Sequence, residues 1–168
     1  IDLHSANQFN NRDGYINSAL LYMEHFPYVS RLWFGEYFEY DLDADYWMTE
    51  VSGIPFGLTG EMLEKGGKPY HGLLYGMTTR VYHNYNPGNL WKLFEDFGIA
   101  DSRMIGYWVD NPPIKVDNKK IKCTVYQKED KVMITIASWS KKDEFLRLNI
   151  DWDKLGFDKS KSTLISPM

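Results

Sequence analysis

Glu36 is the residue of this chain best placed to do chemistry. It follows Arg31-Leu32-Trp33-Phe34-Gly35, an apolar run that reads as a buried strand. From Glu36 the chain turns acidic while staying aromatic, through Tyr37, Phe38, Glu39 and Tyr40 to Asp41, Asp43 and Asp45. In a parallel α/β sheet the carboxyl ends of the strands face the ligand, because the loops after them converge there. Carboxylates flanked by ring faces suit a sugar, whose C–H faces pack on aromatics while its hydroxyls hydrogen-bond to acids. Trp33, Tyr37, Glu39 and Asp41 are then candidate substrate-binding residues around Glu36. A core strand followed by a solvated acidic loop would give the same letters, so the surrounding elements have to decide.

Upstream, Ile1-Asp2-Leu3-His4 repeats the pattern of a short strand running into polar residues, here Ser5, Asn7, Gln8, Asn10 and Asn11. His4 and Asn7 reach the same end as Glu36 if the two strands are parallel. Ile16, Ala19, Leu20 and Met23 fall at i, i+3, i+4 and i+7, an apolar helical face, with Asp13 as a cap and Pro27 beyond its end. Asp43 or Asp45 can cap a short helix through Tyr46, Trp47, Glu50 and Val51, stopped by Gly53 and Ile54-Pro55. Residues 58–65 read as a second helical piece closed by Gly66-Gly67. Residues 73–77 read as another apolar strand, running into Thr78, Thr79, Arg80, Tyr82, His83 and Tyr85. Leu90, Leu93, Phe94 and Phe97 then make a helical stripe ended by Gly98. Three strand–loop–helix passes imply βα units and a parallel sheet, since parallel strands need a crossover, usually helical.

From Lys115 the period changes. Ile121, Cys123 and Val125 alternate with Lys122, Thr124 and Tyr126; the turn Lys128-Glu129-Asp130-Lys131 leads to Val132, Ile134 and Ile136; Leu146, Leu148 and Ile150 alternate again. These are antiparallel strands with one packed face. Residues 162–166 would add one more after a turn at 153–156. The stiff link Asn111-Pro112-Pro113 marks the boundary, giving an α/β part at 1–111 and a β module at 115–168.

Composition narrows the partners. The chain is 43% hydrophobic and 16% aromatic over 168 residues, enough for a sizeable core. Residues 1–114 carry 15 acids against 7 Lys and Arg, a poor host for nucleic acid. Residues 115–168 carry 8 acids against 12 Lys and Arg, with lysines paired at turns in a manner typical of solubility. No apolar run reaches the roughly 18 residues of a membrane span. The single Cys123 can form no intrachain disulfide, and the four histidines show no HExxH or close ligand pair, so a transition-metal site is not expected and a carboxylate calcium site stays open. Neither a phosphate-binding glycine loop nor a GxSxG elbow is present, and no cofactor is implied.

A resemblance rests on several runs together: Asp2-Leu3-His4-Ser5 with Asn7, residues 21–28, Arg31-Leu32-Trp33-Phe34-Gly35-Glu36, Ser52-Gly53-Ile54-Pro55-Phe56-Gly57, and Ile105-Gly106-Tyr107-Trp108. They resemble the carboxyl-terminal part of bacterial glycoside-hydrolase-like proteins related to the family 123 β-N-acetylgalactosaminidases. The resemblance implies the carboxyl-terminal portion of a (β/α)8 TIM barrel followed by a small antiparallel β-sandwich, polysaccharide degradation, and a secreted or periplasmic location. The tail, with Ala137-Ser138-Trp139-Ser140 and Ile150-Asp151-Trp152, is similar to the sandwich that closes many such enzymes. The family's adjacent Asp-Glu pair, used with substrate assistance, is not found at a strand end: Glu129-Asp130 falls in a hairpin turn and Glu95-Asp96 in a helix.

Hydrolysis of a glycosidic bond usually takes two carboxyl groups, one protonated and one ionised. Glu36 leads, with Glu61 as a second catalytic candidate and Glu39 and Asp41 behind it. Trp33, Phe34, Tyr37 and Phe38 would raise the pKa of Glu36 by desolvation, as a general acid requires. His4, Asn7, Trp47 and Arg80 complete the substrate-binding set, with Tyr82 and Tyr85 as further stacking platforms. A closed barrel takes roughly 250 residues, so the expectation is that further wall is supplied by polypeptide upstream of Ile1. The rival expectation is a non-catalytic carbohydrate-binding or structural fragment with the same composition.

Overall fold

The computed structural model describes residues 1–4, 23–34, 44–45, 59–64, 71–81 and 88–166. The chain divides into two compact units, Ile1–Pro87 and Gly88–Met168.

In the first unit, four strands lie side by side in sequence order: β1 (Asp2–His4), β2 (Arg31–Phe34), β3 (Thr59–Glu64) and β4 (Thr78–Val81). All three pairings are parallel, as βα units require. Leu32, in the middle of β2, is fully buried and anchors the unit, a placement that contributes about 1.5–3 kcal/mol. The chain enters β2 through a 3-10 helix, Met23–Tyr28, with Pro27 inside it; the helical face expected at 16–23 lies, but for Met23, outside the described residues. Ser30 N donates to Ile1 O at 2.7 Å, tying the starts of β1 and β2 together.

Two expected elements differ in kind. Residues 58–65 read as a helical piece closed by Gly66-Gly67; the structure makes Thr59–Glu64 the third strand, because neighbours on both sides offer a complete ladder that outweighs local propensity. Residues 73–77, expected as a strand, form the end of a 3-10 helix, His71–Tyr75, and the turn after it, closed by Met77 N donating to Gly72 O at 2.9 Å across Gly76 at φ +80. A short buried apolar run does not by itself distinguish strand from helical turn. Leu73, Leu74 and Tyr75 are buried, and Tyr75 donates its hydroxyl to Ala44 O at 3.3 Å. The strand comes just afterwards as β4. Residues 44–45 are helical, and the short helix expected through residues 46–51 lies outside the described residues.

The second unit starts earlier than the Pro-Pro link, and the reason is visible. Helix α1 (Gly88–Phe97) buries Leu90 and Phe97. It ends at Gly98, whose left-handed backbone (φ 71) lets its N–H reach Phe94 O at 2.8 Å. The carbonyls freed at this end are taken by lysines from far along the chain: Lys131 Nζ donates to Asp96 O at 3.0 Å and Lys128 Nζ to Gly98 O at 3.3 Å. Both lysines flank the turn between β7 (Ile121–Gln127) and β8 (Val132–Ser138), so α1 is fastened to that hairpin. Strand β5 (Arg103–Ile105) pairs antiparallel with β7. Residues 88–111 are therefore held by strands downstream of the link, and the division falls at Pro87/Gly88.

After the link, β6 (Ile114–Val116) pairs antiparallel with β9 (Leu148–Ile150). The sheets β5-β7-β8 and β6-β9 share one core of Ile114, Cys123, Val125 and Leu155, flanked by Ile105, Val132, Ile134, Leu148 and Ile150. The turn expected near 153–156 is a short helix, α2 (Trp152–Leu155), capped by the Asp151 carboxylate on Lys154 N at 3.1 Å and closed by Gly156 at φ 74. Residues 162–166 form no strand; a 3-10 helix at Lys159–Lys161 precedes them, and Leu164 and Ile165 are exposed.

Candidate functional site

The register of the parallel sheet brings predicted residues into line. His4 stands opposite Trp33, Trp33 opposite Glu61, and Glu61 opposite Thr78. Register partners lie on the same face, so this row crosses all four strands. The row before it, Leu3, Leu32 and Gly60, lies on the opposite face, where Leu32 is fully buried. Positions alternate along each strand. The face of Glu61 therefore also holds Asp2, Arg31 and Thr59 nearer the amino ends, and Leu63 and Arg80 nearer the carboxyl ends. One face is mostly polar and the other mostly apolar.

Neighbouring strands are about 4.8 Å apart, which sets His4 and Glu61 about 10 Å apart with Trp33 between them. Arg80 lies two residues beyond Thr78 on the strand beside Glu61, a diagonal of about 8 Å. At the amino ends, Arg31 Nε approaches Asp2 Oδ1 at 3.7 Å with both side chains about half exposed. An ion pair so wet contributes little, and it marks the end remote from the carboxyl-terminal loops.

Of the predicted residues, His4, Trp33, Glu61 and Arg80 thus share one face. Glu61 falls in a strand and not in the expected helical piece, so its register neighbours are Trp33 and Thr78. Glu36 follows the last residue of β2 by two positions. Glu36 itself, Asn7, Tyr37, Glu39, Asp41, Trp47, Tyr82 and Tyr85 lie outside the described residues. Glu95-Asp96 is in α1 and Glu129-Asp130 in the β7–β8 turn, as expected. A third adjacent pair, Asp143-Glu144, went unnoticed in the sequence; it is exposed between β8 and β9, with Ser140 Oγ donating to Glu144 at 2.8 Å. Among the described residues no group of three His, Cys, Asp or Glu could hold a metal ion, and no helix is long and apolar enough to cross a membrane.

In the second unit, the run Ile105-Gly106-Tyr107-Trp108 has a clear physical basis. The Trp108 indole lies directly against Gly106, where a Cβ would fall 2.4 Å from Cζ2, so no other residue fits without displacing the ring. Tyr107 meets Trp108 edge-on, ring centroids 5.2 Å apart, and Lys122 Nζ sits 5.3 Å from the Tyr107 ring. The backbone N–H of Tyr107 donates to Thr124 Oγ1 at 3.3 Å, and Thr124 is fully buried.

Two family models match the chain, one on each side of residues 83–85. The glycoside hydrolase 123 TIM-barrel domain matches residues 1–82, and the glycoside hydrolase 123 C-terminal domain matches residues 86–168. The seam between them lies beside the structural division at Pro87/Gly88. Neither the curated proteins nor the solved structures include a significant match. Across both its units, the chain is related to glycoside hydrolase family 123.

Proposed function

We propose that this chain supplies part of the catalytic centre of a glycoside hydrolase acting on oligo- or polysaccharides. In this reading its parallel sheet is a portion of a (β/α)8 barrel, and the second unit is the β-sandwich that follows it. The observation that carries the proposal is the row His4, Trp33, Glu61 on the mostly polar face of a parallel sheet whose other face is mostly apolar. In a (β/α)8 barrel one face of each strand meets the interior and the other the helices, and the reacting groups sit near the carboxyl ends of the strands. The remaining wall would come from polypeptide beyond these four strands.

The placement suggests distinct roles for two carboxyls. Glu61, in the row with Trp33, is the candidate to accept a proton from water, attack the anomeric carbon or orient the sugar. Glu36, just past β2 in an aromatic stretch, is the candidate acid that protonates the leaving oxygen. Trp33, between His4 and Glu61, offers a ring face to the sugar, with His4, Asn7, Tyr37, Glu39, Asp41, Trp47 and Arg80 as hydroxyl or stacking partners around it.

Glu36→Gln and Glu61→Gln in the intact polypeptide, assayed on aryl glycosides of graded leaving-group pKa, test the assignment. As the acid, Glu36→Gln lowers turnover about a hundredfold or more, and substrates with good leaving groups are spared. Glu61→Gln slows every substrate. A role limited to holding a hydroxyl would cost roughly 1–3 kcal/mol for all substrates alike. Unchanged rates in both variants would remove the chemistry from these residues, and sugar binding without turnover in the intact polypeptide would establish a non-catalytic carbohydrate-binding protein instead.

A further inference from the structure

We propose that the second unit carries a separate binding groove for an anionic oligosaccharide, one bearing sulfate or carboxylate groups. The groove encloses about 530 Å³ and is built entirely within residues 111–159, between the Pro-Pro link, the β6–β9 pair and α2. That volume is within the range of small-molecule sites.

Its frame is fixed. Asp151 N donates to Pro113 O at 2.8 Å, which binds the link to the end of β9. Lys154 Nζ donates to Asn111 O at 3.3 Å and lies 3.4 Å from Asp151 Oδ2, so the groove's carboxylate and one of its lysines are already engaged with each other. Asn111 has a left-handed backbone at φ 50, the one such non-glycine among the described residues, and two prolines without N–H groups follow it. Backbone held in a sparsely populated conformation by surrounding contacts is a common mark of a functional surface.

Recognition falls to the groups left over. Lys115 and Asn149 are cross-strand partners on the outer face of the β6–β9 pair, whose other face packs into the core through Ile114 and Ile150. Lys159 also lines the groove. Lys115 and Lys159 are exposed, and Lys115 adds its positive charge to that of Lys154 near the Asp151 carboxylate. The Lys154–Asp151 pair cancels within the frame, leaving an excess of two positive charges over the groove. Trp152 adds a half-buried ring, and Asn111 and Asn149 add amides. Ammonium groups for the acid, amides for hydroxyls and a ring for the C–H face together describe an acidic sugar and not a neutral one. The groove is built wholly from residues of the second unit, and its proposal does not rest on the proposed hydrolytic function.

The test is calorimetric titration of the full chain with a chondroitin 4-sulfate tetrasaccharide, alongside N-acetylchitotetraose and inorganic sulfate. Saturable one-to-one binding of the sulfated tetrasaccharide is expected, weakening as salt is raised. Lys115→Gln and Lys159→Gln should each weaken it about five- to tenfold, without changing the thermal unfolding midpoint. Glu61→Gln should leave it unchanged, which separates this site from the hydrolytic one. Equal binding of the neutral tetrasaccharide, saturation by inorganic sulfate at the same affinity, wild-type affinity in both lysine variants, or no saturable binding would each overturn the proposal.

Discussion

Cys123 offers a direct measurement of how dry the core of the second unit is. The thiol is 4% exposed between the two sheets, and burial pushes its pKa up from 9.0 to about 11. The thiolate is the form that reacts with alkylating agents. At pH 8, a shift of two units lowers the thiolate fraction about a hundredfold, and steric closure slows reaction further. Since Cys123 is the only cysteine, iodoacetamide labelling followed by mass spectrometry reads this one site. Native protein should react at least about a hundred times more slowly than the same protein in denaturant. The same shift has a consequence for stability. The neutral thiol's contribution is complete below about pH 9, the unfolded value, and is lost as the pH rises through about 11. The full loss is roughly 2–3 kcal/mol at about 1.4 kcal/mol per unit. Cys123→Ala should remove that alkaline decline while costing some packing at all pH values. Native labelling as fast as in denaturant, or an alkaline decline that survives Cys123→Ala unchanged, would refute the reasoning.

Three further outcomes follow from local geometry. Gly106→Ala forces the Trp108 ring off its seat and should cost about 1–3 kcal/mol in chemical denaturation, with a changed near-ultraviolet circular dichroism signal; an unaltered signal would contradict the contact. Leu32→Ala empties a fully buried site in the parallel sheet and should cost about 2–5 kcal/mol by the same assay, a loss under 1 kcal/mol arguing against that core. The Lys154 backbone N–H and ammonium hold the Asp151 carboxyl below its usual range, so its contribution is present above the unfolded value and fades as the pH falls; acid titration of unfolding should show a shallower slope in Asp151→Asn than in the natural chain.

The parts legible in the sequence are those whose pattern is local. The alternation of Ile121, Cys123 and Val125 announces β7 because its partners bury one face, and the turn at 128–131 follows from its composition. The Leu90–Phe97 stripe ending at Gly98 announces α1 for the same reason. Strand β3 was illegible because an inner strand of a parallel sheet is defined by neighbours on both sides, which residues 58–65 do not encode on their own. The row joining His4, Trp33 and Glu61 depends on the register between segments about thirty residues apart, and register belongs to the assembled sheet. The lysines that cap α1 read as surface charge for a similar reason: their acceptors lie 30 and 35 positions upstream. The groove had no motif, since it joins a link, two strands and a helix.

Strand β5 has one more consequence, for where the polypeptide can be cut. Val125, Tyr126 and Gln127 of β7 pair with β5 on one side and with β8 on the other. A truncation beginning at residue 115 would discard β5 and leave that stretch of β7 as an open edge, with Val125 and Tyr126 in a strand that is apolar along most of its length. Bare backbone beside apolar side chains invites pairing with a second molecule, and such a product would be expected to self-associate. Beginning at Gly88 retains β5, the fastened helix and the covered edge, and gives the second unit its best prospect of remaining a soluble monomer.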